Sequence, residues 1–193
     1  MTLDSMKTYP SGTCFRFRVD LLHTTPRVWR SFLLRADASF FELHEAIQAC
    51  GWTDSHLWHF REPQSPVVLA GLSDYDLGLD DPNAKFVRVR SHFEKVGDHC
   101  IYTYDFGDNW EHGVILEEVV VPESPTKRAL LGGAGSFPPE NSGGAPGLER
   151  VREFRETGKD PWGEDQALRE FLEGLVWEEF DLERDRKLFD LVE

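Results

Sequence analysis

Cysteine is scarce in this sequence, long apolar runs are missing and positive charge is outnumbered, and each shortage removes a class of protein. The three cysteines, Cys14, Cys50 and Cys100, are widely spaced and odd in number. They support neither a disulfide framework nor a cysteine-rich zinc site, and read as buried thiols of a reducing compartment. No apolar run approaches the roughly 18 residues of a spanning helix. Residues 1–7, Met-Thr-Leu-Asp-Ser-Met-Lys, lack the basic-then-apolar order of a secretion signal, so the expected location is the cytoplasm and no membrane partner is expected. A lysine-bearing phosphate loop, a G-x-S-x-G elbow and an H-E-x-x-H pair are also absent. Nucleotide hydrolysis, serine hydrolysis and zincin chemistry therefore have no support.

Lys and Arg number 21 against 35 Asp and Glu, a formal charge of −14. The excess lies late: residues 1–60 carry six basic and six acidic residues, while residues 101–193 carry ten against twenty-two. Nucleic-acid affinity depends on cations that neutralise phosphates, so this balance argues against direct nucleic-acid binding and in favour of a charged, soluble surface.

What is present is strongly patterned. Phe15, Phe17, Val19 and Leu21 alternate with Arg16, Arg18 and Asp20, the signature of a half-exposed strand, and Val28 to Leu34 reads as its return after a turn at Thr24-Thr25-Pro26. Ser39 and Glu42 stand at capping-box spacing ahead of Phe40, Leu43, Ile47 and Cys50 on one helical face, with Gly51 as the stop. Leu57 to Phe60 reads as a short strand, residues 63–84 as a loop-rich excursion with a short Val67-Val68-Leu69 piece, and Phe86 to Val89 as a further strand. From Ile101 to Val121 a long hairpin is expected, with Gly107, Asp108 and Asn109 at its turn. Residues 132–147 hold six glycines and three prolines and read as an extended loop.

The expected fold is α+β: a mixed, mainly antiparallel sheet with a β-grasp-like β-β-α-β opening, a long central hairpin and C-terminal helices. Residues 1–147, including the Gly/Pro-rich loop 132–147, are expected to form the core domain. Residues 148–193 are expected to form an acidic helical extension packed on it.

Several of these segments carry a resemblance. Pro26-Arg27-Val28-Trp29-Arg30, Phe41-Glu42-Leu43-His44, Gly51-Trp52 with Ser55-His56-Leu57, Tyr104-Asp105-Phe106-Gly107-Asp108 with Trp110-Glu111-His112, Phe137-Pro138-Pro139-Glu140 and Phe180-Asp181-Leu182-Glu183 together resemble the plasmid ORF-3-like family. Its members are bacterial and archaeal proteins of unknown function, sometimes labelled TnpR-like passenger proteins of insertion elements. The resemblance covers most of the chain and implies no established chemistry. Many members carry cysteines around the Pro-Pro-Glu segment, where this chain has Phe137 and Ser142. A metal or redox role served by such cysteines is not expected here.

The sharpest chemical reading is a divalent-metal site of Asp105, Asp108 and His112, joined by His44, His56 or Glu140, a mixed N/O set that suits zinc, iron or manganese. The plainer reading gives Asp108 to the turn, Asp105 to an arginine and His112 to a sheet hydrogen bond. Trp52, His56, Tyr104, Trp110 and Glu140 are the candidate ligand-binding residues around a groove between the hairpin, the first helix and the Gly/Pro loop. Three functions compete. The leading one is a non-enzymatic module that receives a protein or peptide partner in that groove. The second is a metal-dependent enzyme or ligand-binding domain at the Asp105-Asp108-His112 hairpin, and the third, carried by the TnpR-like label alone, is a role in transposon or plasmid DNA recombination.

Overall fold

The computed structural model describes residues 9–74, 79–173, 175 and 177–191. The chain opens with β1 (Cys14–Leu21), β2 (Val28–Arg35) and α1 (Phe40–Gln48), followed by β3 (Trp58–Arg61), β4 (Val68–Gly71), β5 (Ser73–Asp74) and β6 (Leu79–Asp80). Next come the two long arms β7 (His99–Tyr104) and β8 (Trp110–Val120), then β9 (Arg128–Ala134) and the helices α2 (Gly144–Thr157), α3 (Asp165–Leu172) and α4 (Leu182–Leu191). Seven strands form one sheet in the order β4-β3-β7-β8-β1-β2-β9, every neighbouring pair antiparallel. The fold is α+β, as the patterning indicates. Among the described residues its mixed character amounts to one isolated parallel bridge, Gly71 to Asn83.

Strand alternation decides which side chains reach the core. Phe15, Phe17, Val19 and Leu21 of β1 are buried while Arg16, Arg18 and Asp20 stay half-exposed. On the same inner face lie Tyr102 and Tyr104 of β7 and Trp110, His112, Val114 and Leu116 of β8. Helix α1 covers them with Phe40, Leu43, His44, Ile47 and Gln48, Phe40 meeting Phe60 at 5.0 Å between ring centroids. The Ser39 hydroxyl accepts from Glu42 N while Glu42 returns to Ser39 N, a complete capping box.

Three segments differ from expectation, each for a local reason. Phe86 to Val89 makes one bridge, Ser39 to Arg88, and then a 3-10 turn at Val89–Ser91. Its backbone serves the entry to α1 instead, because Phe40 N donates to the Val87 carbonyl and Val89 N to the Ala38 carbonyl. Gly132 and Gly133 belong to strand β9 rather than a loop. A Cβ at Gly133 would meet Arg30 Cδ at 2.6 Å and Phe180 at 2.8 Å, so the glycine admits side chains that pack onto the strand. Helix α2 then starts at Gly144, inside the expected loop. Both outer strands are covered in part. Arg186 of α4 donates to the Leu130 carbonyl of β9, and Pro82 and Ala84 bond the backbone of Gly71 in β4.

The core is aromatic but not dry of polar atoms. His44 Nε2 lies 2.9 Å from the Asp54 carboxylate, which only accepts, so the proton sits on Nε2. Nδ1 is then the acceptor for the Tyr102 hydroxyl at 2.8 Å, and Tyr102 in turn accepts from the Gln48 amide at 2.9 Å. His112 has the opposite tautomer: the Trp52 indole, a donor only, reaches Nε2 at 3.2 Å, leaving Nδ1–H for the Tyr102 carbonyl at 3.3 Å. The network ties α1, the loop after it and the hairpin into one unit, and no buried nitrogen of either ring is left without a partner.

Burial pushes His44 down to about 3 and His112 down to about 4. Asp54 is too exposed to offset the first of these. An unfolded histidine titrates near 6.5, so below that pH the unfolded chain takes up protons that the folded rings refuse, and stability is lost as pH falls from 6.5 toward 4. The urea midpoint is expected to drop between about pH 7.5 and about pH 5, by an amount equivalent to about 2 kcal/mol for each of the two rings. Relief of the net negative charge acts in the opposite direction, and a rising midpoint would contradict neutral burial of these rings. For the capping box, Ser39→Ala is expected to cost about 1 kcal/mol in the same unfolding experiment.

Candidate functional site

Three loops meet beside the mouth of the β7–β8 hairpin. The turn between its arms is built on Asp105 and Asn109, both in the left-handed region, with φ of 54° and 55°. Such angles are uncommon outside glycine, with Asp and Asn the usual exceptions. Asp105 reverses the alternation that would send it away from Tyr104. Its N–H donates to the Leu57 carbonyl of the loop leading into β3, and its Oδ1 accepts from Gly107 N at 2.9 Å and Asp108 N at 3.3 Å. The second oxygen, Oδ2, is thereby turned toward His56 Nε2, 3.7 Å away.

Glu140 repeats the pattern from the other side. Its Oε1 accepts three hydrogen bonds, from Thr53 N and Thr53 Oγ1 at 2.9 Å each and from the Tyr104 hydroxyl at 3.0 Å. The Tyr104 oxygen itself accepts from Ser55 N at 3.1 Å. Oε2 of Glu140 faces His56 Nε2 at 3.6 Å. These separations are short enough for ionic attraction and too long for direct hydrogen bonds. His56 Nε2 and Glu140 Oε2 are accordingly both buried without a hydrogen-bond partner. The side chains keep modest exposure, 25% for His56, 18% for Glu140 and 10% for Asp105, so the cluster sits at the edge of the core.

The expected three-ligand set of Asp105, Asp108 and His112 is not assembled. Asp108 uses Oδ2 to accept from Gly143 N, at the entry to α2, at 2.9 Å, which matches a negative group to a helix N-terminus. His112 is fully buried in the sheet with both ring nitrogens engaged. Among the described residues, no group of three or more His, Cys, Asp or Glu side chains is placed to hold a metal ion as it stands. Asp105 alone of the three lies beside His56 and Glu140.

Of the candidate ligand-binding residues, Trp52, Tyr104 and Trp110 are buried. Tyr104 reaches the cluster through its hydroxyl, which holds Glu140. Trp52 packs edge-on against Phe137 at 5.5 Å and tilted against Trp110 at 5.7 Å. The groove expected between hairpin, α1 and the Gly/Pro loop is filled by this stack. Phe137, at a place where the family resemblance implies cysteine in many members, lies buried over the His112 ring. It also covers the guanidinium of Arg30, which stands 4.8 Å from Phe137 and 4.4 Å from Phe180 and donates to the carbonyls of Trp29, Ala134 and Gly135. Trp29 stacks on Arg18 at 3.9 Å rather than on the arginines beside it in sequence. Thr53 and Ser55 belong to the cluster but are not among the candidates that the sequence offers. Their short polar side chains carry no signal until the loop is placed against Glu140.

Among the described residues no helix is long and apolar enough to cross a membrane. The chain is 35% identical over 164 residues to the uncharacterized protein y4hQ of Sinorhizobium fredii, covering 84% of this chain and 79% of that one. It is also similar to a crystal structure of MM3350, a protein of unknown function from Methanosarcina mazei Go1, with a TM-score of 0.74, 27% identity and coverage of 89% of this chain and 97% of that one. A model of the plasmid pRiA4b ORF-3-like family matches residues 13–187, from the start of β1 into α4. The protein belongs to the plasmid pRiA4b ORF-3-like family.

Proposed function

We propose that the protein is a ligand-binding domain that takes a divalent cation between His56, Asp105 and Glu140. The observation that carries this reading is the matched state of the two carboxylates, each with one oxygen held by hydrogen bonds and the other turned to the same imidazole nitrogen. Outer hydrogen bonds of this kind orient ligating side chains in metal sites. Ligand atoms about 2.0–2.2 Å from a zinc ion stand roughly 3.3–3.6 Å apart in a tetrahedron. The observed 3.6 Å lies at the top of that range and 3.7 Å just beyond it, so both carboxylate oxygens stand near ligand spacing from the imidazole nitrogen. A cation would also satisfy His56 Nε2 and Glu140 Oε2, which lack hydrogen bonds. One nitrogen and two carboxylate oxygens suit zinc or manganese.

A protein partner is favoured by a separate feature. Phe106 stands 44% exposed at the hairpin tip, its ring 5.0 Å from that of His59, beside a surface cavity of about 530 Å³ lined by Arg61, Pro66 and Glu111 among others. An exposed aromatic next to an arginine and a concave surface is the composition of a contact centre. It lies across the hairpin from the filled groove and supports an interaction reading at a different surface from that groove.

Equilibrium dialysis of untagged protein against zinc and manganese, followed by elemental analysis, tests the first reading. Near one ion per chain is expected, with the affinity of His56→Gln and Glu140→Gln reduced by about ten-fold or more and that of Asp108→Asn little changed. No stoichiometric ion in the wild type, or equal binding by all three variants, would overturn it.

A further inference from the structure

At the far end of β1 and β8 from the hairpin turn, where Cys14 pairs with Val120 rather than Leu21 with His112, the chain encloses a cavity of about 580 Å³. Its walls come from the segment leading into β1, the end of β2, the 3-10 turn at residues 89–91 and the loop between β8 and β9. That loop is fastened on both sides: Arg35 N donates to the Lys127 carbonyl at 3.1 Å, and the Cys14 thiol to the Thr126 carbonyl at 3.6 Å.

The charge of the lining is the reverse of the charge of the chain. Arg35, Arg90 and Lys127 face the cavity against one carboxylate, Asp37, in a protein of net charge −14. Arg35 is shared with Asp37 at 3.3 Å and Glu42 at 3.8 Å. Among the described residues Arg90 has no such ion pair, and its Nε is buried without a hydrogen-bond partner. Arg90 nevertheless lines the cavity, and the donors of a guanidinium match the oxygens of a phosphate. Even with Glu42 counted against Arg35, the cations outnumber the carboxylates, which suits an anion.

We propose that this cavity binds the phosphate group of a small phosphomonoester, with Arg90 and Lys127 as the principal contacts. The volume exceeds what inorganic phosphate alone requires and falls in the range of small-molecule sites, which leaves room for the esterified part of the ligand. This site is independent of the His56 cluster and stands or falls without it.

The test is a titration of isotope-labelled full-length protein with ribose 5-phosphate, inorganic phosphate and acetate, each at constant ionic strength, followed by amide shifts. Ribose 5-phosphate and inorganic phosphate are expected to produce saturable shifts confined to residues around Gly12, Thr13, Thr126 and Lys127, the ester binding the more tightly. Arg90→Gln and Lys127→Gln are each expected to weaken binding by about ten-fold or more, the loss of a charge-assisted hydrogen bond. The Lys127 variant alters an exposed side chain and keeps the test decisive if Arg90→Gln does not fold. Equal shifts with acetate, linear shifts with phosphate, or wild-type affinity in Lys127→Gln would overturn the proposal.

Discussion

Everything around the hairpin depends on one constraint: its inner face buries Tyr102, Tyr104, Trp110 and His112, and most of the polar atoms these residues bring into the core must find partners there. Tyr102 is met by Gln48 and His44 from α1, and His112 by Trp52 from the loop that follows. Those bonds determine where residues 51–57 run. They also determine what cannot change: the Trp52 indole can be satisfied by His112 only while that ring is neutral, so the join between helix and hairpin excludes a proton from its center.

The His56 cluster is a consequence of the same arrangement at its solvent edge. With Trp52 held inward, Thr53 and Ser55 present their backbone and hydroxyl groups to Glu140 and Tyr104. With the β7 arm ended by Asp105 in a left-handed conformation, its carboxylate turns back over the loop. Neither acid is free to rotate, because one oxygen of each is committed to donors of the scaffold. Such commitment costs conformational freedom and leaves the remaining oxygens aimed at His56. Strained or fixed polar geometry of this kind concentrates at functional sites.

Much of this was legible in the residues. The capping box at Ser39 and Glu42, the alternation of β1 and the long hairpin all follow from local patterns that tertiary packing reinforced. His56, Tyr104, Asp105 and Glu140 were identifiable as chemistry-bearing side chains. Their grouping was not, because it depends on Asp105 breaking strand alternation through its positive φ and on the path of a loop whose placement is decided by Trp52 and Phe137. For His112 the sequence leaves both readings open, ligand or sheet hydrogen bond, for a related reason: a histidine two residues from a tryptophan on a strand looks the same in sequence whether its ring nitrogens are free or used. Gly132 and Gly133 read as loop because their role, admitting Arg30 and Phe180 against the backbone, lies with distant residues.

The central claim is a division of labour between two histidines, His112 as a neutral strut with both nitrogens occupied and His56 as the ring with an unsatisfied nitrogen facing two fixed carboxylates. Long-range proton–nitrogen correlation spectra of the histidine side chains, recorded before and after addition of zinc, test it directly. The account predicts that His112 shows the Nδ1–H tautomer in both states and that His56 Nε2 alone moves to the shift of a ligated nitrogen. A zinc-dependent change at His112, or an unchanged His56 at saturating zinc, would contradict it.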